Sequence, residues 1–93
     1  MVQMNKFIVV LRDPSGDFAP IYLADFGDLG KGTTPNRQDA LVCDGDKVES
    51  LVAHAQAMAY MATTAFGLSS EHARQASAEP VVVIGDGQKQ EII

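Results

Sequence analysis

The clearest structural signal in this sequence lies in Asp46-Lys-Val-Glu-Ser-Leu-Val-Ala-His-Ala-Gln-Ala-Met-Ala-Tyr-Met-Ala-Thr-Thr-Ala-Phe-Gly67. Asp46 and Glu49 have the Asp-x-x-Glu spacing of a capping box, which satisfies backbone N–H groups at the start of a helix. No proline interrupts the residues that follow, and Gly67 stands where a glycine commonly ends a helix. The stretch therefore predicts one long helix from about Lys47 to Phe66.

Apolar residues lie on more than one side of this predicted helix. One stripe recurs at helical spacing and can cover a sheet; it consists of Val48, Leu51 or Val52, Ala55, Ala59, Ala62 and Phe66. Further apolar residues lie off that stripe, namely Ala53, Ala57, Met58, Met61 and Ala65. A helix that is apolar around so much of its circumference is expected to be covered on a second side. A second helix or the N-terminal loop, a second copy of the chain, or a partner protein could each supply that cover.

The remaining sequence predicts strands on both sides of the long helix. Runs rich in β-branched residues predict strands over 7–11, 20–24, 40–43 and 80–84, with an optional last strand over 88–93. A glycine-rich loop follows the second strand, and a shorter second helix is expected over 70–78, stopped by Pro80. The predicted order is β-β-β-α-α-β with the optional last strand. This indicates an α+β fold in one domain, residues 1–93, with an antiparallel or mixed sheet and both helices on one face.

Composition narrows the classes of function. The net charge is −5, with only seven Lys and Arg residues, which argues against direct binding of nucleic acid. The single cysteine excludes an internal disulfide framework and favours a reducing setting. No secretory signal or membrane-length apolar run is recognisable, so the expected location is the cytoplasm.

The sequence contains only weak matches to motifs for catalysis, nucleotide binding or metal binding. The segment from Gly27 to Thr34 only faintly resembles a phosphate-binding loop, because the helix that should follow it is missing. Asp13 to Asp17 is better explained as a hairpin turn than as the opening of a calcium loop. Cys43, His54 and His72 have no spacing typical of a nucleophile and its base. We therefore expect no enzymatic activity, no cofactor and no metal site.

The candidate binding residues are taken from the helix and from the acidic loop before it. On the helix they are His54, Ala57, Met58, Tyr60 and Met61, and in the loop they are Asp25 and Asp28. Methionine and alanine permit close, adaptable helix packing. The sequence thus favours a protein that binds another protein, with a homodimer through the long helix as the expected assembly. Two other classes stay open: a small-molecule or nucleotide binder using residues 27–34, and a structural subunit of a larger assembly.

One resemblance adds to this hypothesis. It rests on Lys6-Phe-Ile-Val-Val, Tyr22-Leu23, Thr34-Pro-Asn-Arg-Gln-Asp-Ala-Leu-Val-Cys43 and Val48-Glu-Ser-Leu-Val-Ala-His-Ala55, within residues 6–60. The arrangement resembles small proteins of bacteriophages and mobile elements, in which a strand hairpin precedes a Thr-x-x-x-x-x-Ala segment, a strand and an alanine-rich helix. Some proteins of that kind inhibit bacterial defence complexes, as anti-CRISPR proteins do. The resemblance implies a non-enzymatic inhibitor that occupies the surface of a host protein complex, and it assigns no functional residue.

Overall fold

The computed structural model describes residues 2–24, 32–85 and 90–93. The strands are β1 (Val2–Arg12), β2 (Ile21–Ala24), β3 (Gly32–Thr34), β4 (Cys43–Asp44), β5 (Gln75–Gly85) and β6 (Gln90–Ile92), and the helix is α1 (Val48–Ala65). Two short 3-10 turns, Arg37–Asp39 and Ser70–His72, flank the β4–α1 unit. The fold is α+β, with one helix against a curled antiparallel sheet, as far as these residues show.

The sheet is built around β1, the most apolar strand. Its strand order is β3-β2-β1-β5-β6, and β4 pairs with the N-terminal half of β1. Every strand pair in the described part of the chain is antiparallel. Ile8, Val9 and Val10 are almost completely buried. Such burial is expected of a strand that has a neighbour on each edge and whose two faces are both covered.

The side chains of β1 divide the core into two clusters on opposite faces of the sheet, because successive residues of a strand alternate in direction. Val9 and Leu11 pack beneath α1, with Leu23, Cys43 and Ala55. The second cluster lies inside the curl of the sheet and contains Ile8, Val10, Ala40, Val81, Val83 and Ile92. A chain of this length thus covers both faces of its central strand, one with the helix and one by bending the sheet.

The first 3-10 turn stabilises the curled shape of the sheet. The Gln38 amide nitrogen donates to the carbonyl oxygen of Ile92 at 2.7 Å, and the Ile92 N–H donates to the Gln38 amide oxygen at 2.8 Å. Beside it, the Arg37 guanidinium forms an ion pair with Glu79 on β5. These contacts connect the turn that follows β3 to the last two strands of the sheet.

The predicted second helix is wrong. Residues 70–72 form only a 3-10 turn, and Gln75 begins β5, an eleven-residue strand that runs through Pro80. β5 pairs with β1 from Arg12↔Gln75 to Val2↔Ile84, so tertiary pairing overrides the modest helix propensity of the segment.

Pro80 does not interrupt β5, because its nitrogen faces an open edge. Val82 exchanges two backbone hydrogen bonds with Ile93, so its polar groups point toward β6. In an antiparallel strand the residue two positions earlier points the same way. Pro80 therefore aims its nitrogen at the outer edge of β5, beyond the end of β6, where no ladder bond is lost.

The predicted helix is confirmed as α1, with one difference at its start. Lys47 occupies the N-cap position and its side chain makes no capping hydrogen bond, so the predicted Asp46 capping box does not form. The C-terminal end is as expected: Gly67 adopts φ +78°, its N–H donates to the Thr64 carbonyl, and the Leu68 N–H donates to the Thr63 carbonyl. This pair of bonds is a Schellman motif, which requires a left-handed residue after the helix. No helix within the described residues has the length and apolarity to cross a membrane.

Candidate protein-binding site

The outward side of α1 carries three of the predicted binding residues on one strip. His54, Ala57 and Met61 are three, then four, residues apart, so they are neighbours along the helix surface, and all are exposed. Met61 is 71% exposed, and Tyr60 beside the strip is 44% exposed. We call His54, Ala57 and Met61 the outer strip. Because no second helix forms over 70–78, that expected source of cover is lacking.

Met58 differs from the other predicted residues. It is half-buried and packs against the core cluster beneath α1. It also lines a groove on the sheet side of the helix, so it does not belong to the outer strip. The structure thus separates the predicted helix residues into two surfaces.

This groove has a volume of about 770 Å³ and lies under the C-terminal half of α1. Its described lining comprises Leu11, Phe18, Ile21, Gly32, Thr33, Ala55, Met58, Ala59, Ala62, Thr63, Phe66, Leu68, His72 and Arg74. We call it the α1 groove. Most of these side chains are apolar, and the Thr63 hydroxyl donates to the Ala59 carbonyl, which leaves a surface that favours apolar contact.

The groove lies where the core stripe of α1 changes from buried to exposed. Val48 and Ala55 are buried on the predicted core stripe, but Ala62 and Phe66 on the same stripe are exposed. Phe66 is 83% exposed, so the prediction that it completes the core is wrong. The core-type side chains in the last turns of α1 are thus uncovered in the described structure.

The opposite wall of the groove is a hairpin loop ordered by Asp13. Its carboxylate accepts hydrogen bonds from the Ser15 hydroxyl at 2.8 Å and from the N–H groups of Ser15, Asp17 and Phe18 at 3.0–3.1 Å. These bonds, led by that of the Ser15 hydroxyl, lower the pKa of Asp13. The ordered loop presents Phe18, which is 70% exposed, to the groove.

Arg74 joins this loop to the far side of the groove. Its Nη1 donates to the carbonyl oxygens of Leu11 at 3.2 Å and of Ala19 at 3.0 Å, so both ends of the hairpin region are held by one guanidinium. His72 lines the groove nearby, with its Nε2 3.7 Å from a Glu71 carboxylate oxygen. Arg74 therefore supplies a positive charge to a groove whose described lining is mostly apolar.

Glutamine amides occupy backbone groups at the outer edges of β5 and β6. The Gln56 amide on α1 donates to the Arg74 carbonyl at 2.8 Å and accepts from the Ala76 N–H at 2.9 Å. Gln38 makes the equivalent pair of bonds to Ile92 on β6. With Pro80 on the remaining stretch of β5, this edge is protected against the addition of another strand. The outer edges of β5 and β6 are thus poor sites for the addition of a strand.

The remaining residues predicted from the sequence do not belong to either surface of α1 as described. Asp25, Asp28 and most of the Gly27–Thr34 loop lie outside the described residues. Cys43 is buried, its thiol donates to the Phe7 carbonyl at 3.4 Å, and burial raises its pKa, which is the environment of a packing residue. In the described ranges, no three His, Cys, Asp or Glu side chains are grouped as a metal site.

Sequence reasoning missed three residues of the groove. Phe18 is a large apolar side chain inside a polar hairpin loop, a signal that could have marked it as a contact residue. Arg74 was not recognised because residues 70–78 are predicted from the sequence to form a helix. Leu68 was not recognised because it follows the end of the long helix.

Comparison with known proteins gives no further guidance. No protein-family model, curated protein or solved structure matches this chain.

Proposed function

We propose that this chain is a non-enzymatic protein that works by binding another protein through the C-terminal half of α1. The observation that supports the proposal most strongly is the exposure of Phe66, a residue placed on the core-facing stripe of the helix and left 83% uncovered. Phe18 and Leu68 add to the same surface. Large apolar side chains that are exposed around one groove are typical of an interaction site.

The openness of the α1 groove favours a protein over a small molecule. A pocket for a small ligand usually surrounds most of the ligand surface. Here Phe18, Phe66 and Leu68 are each more than half exposed, so they form a broad rim rather than an enclosed cavity. Such a rim suits a partner that brings its own large apolar side chains.

The outer strip suits a second copy of the chain. Ala57 is small enough to let two helices approach closely, and Met61 can adapt to the surface opposite it. An interface with twofold symmetry uses the same patch on both copies, and a helix face provides such a patch. We therefore propose a homodimer through the outer strip, which leaves the groove for the target.

The resemblance to small phage proteins extends the proposal to the identity of the target. On that view the partner is a host protein complex, which this chain inhibits by occupying its surface. Proteins captured from a bacterial lysate test both steps, with Phe66→Asp altering the groove and Met61→Asp altering the outer strip.

A matched control exists on the other face of the sheet. Ser77 is exposed and pairs with Val10, whose side chain faces away from α1, so Ser77→Asp adds the same charge at a distance from both surfaces. We expect wild type and Ser77→Asp to capture the same proteins and Phe66→Asp to lose them. Equal capture by all variants would show that the helix surface is not the binding face. For the dimer, light scattering should give a monomer for Met61→Asp and a dimer for wild type and Ser77→Asp.

A further inference from the structure

We infer that the α1 groove binds a short amphipathic peptide segment of the partner that carries large apolar side chains and, at one end, a carboxylate. This inference rests on the proposed function and specifies the chemistry of the ligand.

The apolar part of the ligand follows from the shape of the groove. Ala59, Ala62 and Phe66 follow one another along one stripe of α1, and Phe18 reaches the groove from the hairpin loop. Two or three large apolar side chains spaced along one face of a peptide would fill this length, as in other grooves that bind a helix. Their burial would also cover the exposed faces of both phenylalanines.

The carboxylate follows from the charges. Of the described lining residues only Arg74 carries a full positive charge, and neither Asp nor Glu is among them; the imidazole of His72 lies 3.7 Å from the carboxylate of Glu71. This positive charge belongs to a chain with a net charge of −5, so it is a local exception to the charge of the whole protein. Charge complementarity at an interface selects the partner and its orientation, which here means an acid beside Arg74.

Arg74 is suited to hold that acid. Its Nη1 is fixed by the carbonyls of Leu11 and Ala19, so the plane of the guanidinium is oriented in advance. No carboxylate of residues 2–24, 32–85 or 90–93 forms an ion pair with it. A guanidinium with further donors available and a fixed position is a good site for a carboxylate.

A second copy is a less suitable occupant. A twofold interface uses the same surface on both copies, and the described lining of the groove contains no Asp or Glu that could pair with Arg74 of the second copy, while each chain carries a net charge of −5. A peptide with an acid at the right position can form that pair.

The test uses a displayed library of random 12-residue peptides, selected on wild-type protein. We expect enriched sequences to share two or more of Leu, Ile, Met, Phe, Tyr and Trp with an Asp or Glu at a fixed distance from them. The consensus peptide is then synthesised with its acid as Glu, Gln or Lys, and its binding is measured by fluorescence anisotropy. Phe66→Asp should abolish binding, Ser77→Asp should not change it, and the Gln peptide should bind about tenfold more weakly than the Glu peptide.

Arg74→Gln provides the second variant, because its amide can still donate to a backbone carbonyl. With this variant the difference in affinity between the Glu and Gln peptides should disappear, while the apolar contribution to binding remains. Enrichment without a shared acid, equal binding by Phe66→Asp, or no enrichment would each overturn the inference. So would light scattering that shows Phe66→Asp converting a dimer to a monomer, since a second copy would then occupy the groove. If lysate capture still depends on Phe66 while no peptide is selected, the proposed function survives and this inference fails.

Discussion

Replacing Gln56 with methionine removes the link between α1 and the edge of β5. The Gln56 amide forms two hydrogen bonds, one to the Arg74 carbonyl at 2.8 Å and one from the Ala76 N–H at 2.9 Å. Methionine has a similar length and helix propensity but forms neither bond. A typical intramolecular hydrogen bond contributes about 1 kcal/mol, so the free energy of unfolding should fall by about 2 kcal/mol.

Chemical denaturation measures this loss, and hydrogen exchange locates it. For a domain of this size, about 2 kcal/mol corresponds to a decrease of roughly 10 °C in the melting temperature. The amide of Ala76 should exchange faster in Gln56→Met, because its acceptor is gone. Ala53→Met, at an exposed position on the same helix, should leave the free energy of unfolding and the exchange rate of the Ala76 amide unchanged. A loss below about 0.5 kcal/mol, within the usual effect of surface substitutions, together with unchanged exchange at Ala76 would refute the role given to Gln56.

Three further predictions concern the core, a close backbone contact and acid. Leu23→Ala should lower the free energy of unfolding by about 2–5 kcal/mol in urea titration, since Leu23 is fully buried, and a loss below 1 kcal/mol would contradict that burial. Gly45→Ala should cost about 1–3 kcal/mol, because an added Cβ would lie 2.9 Å from the Asn5 side-chain oxygen and 3.1 Å from the Phe7 ring; a neutral effect in the same titration would show that both side chains move aside. The pKa of Asp13 is lowered by folding, so its stabilising effect is complete above the ordinary carboxylate value of 3.8 and is lost as the pH falls through the lowered pKa. Asp13→Asn should therefore make stability less dependent on pH in this acid range, and an unchanged acid profile by circular dichroism would disprove that assignment.

The sequence predicted α1 well because its signals are local. Helical spacing of the apolar residues and the position of Gly67 depend only on neighbouring residues, and both are confirmed. The α+β class followed from this helix and the β-branched run of β1. The predicted capping box at Asp46 is wrong because the spacing between Asp46 and Glu49 permits a capping box but does not require one.

The errors arose where distant residues decide the structure. Gln75 to Pro80 is a strand because β1 pairs with it, and no local signal states that pairing. Phe66 is exposed although it continues the apolar stripe of α1, since its burial depends on which distant residues pack against that turn of the helix. The α1 groove was unpredictable for the same reason, since Phe18 and Arg74 reach it from separate segments.

The proposed contact between Phe66 and another protein can be tested by photo-cross-linking from position 66. A benzophenone side chain replaces Phe66 in one sample and Ser77 in another, and both are irradiated in a bacterial lysate. We predict covalent adducts with the same partner protein repeatedly from position 66 and none of them from position 77. Identical adducts from both positions, or no adduct with another protein from position 66, would contradict the proposed contact.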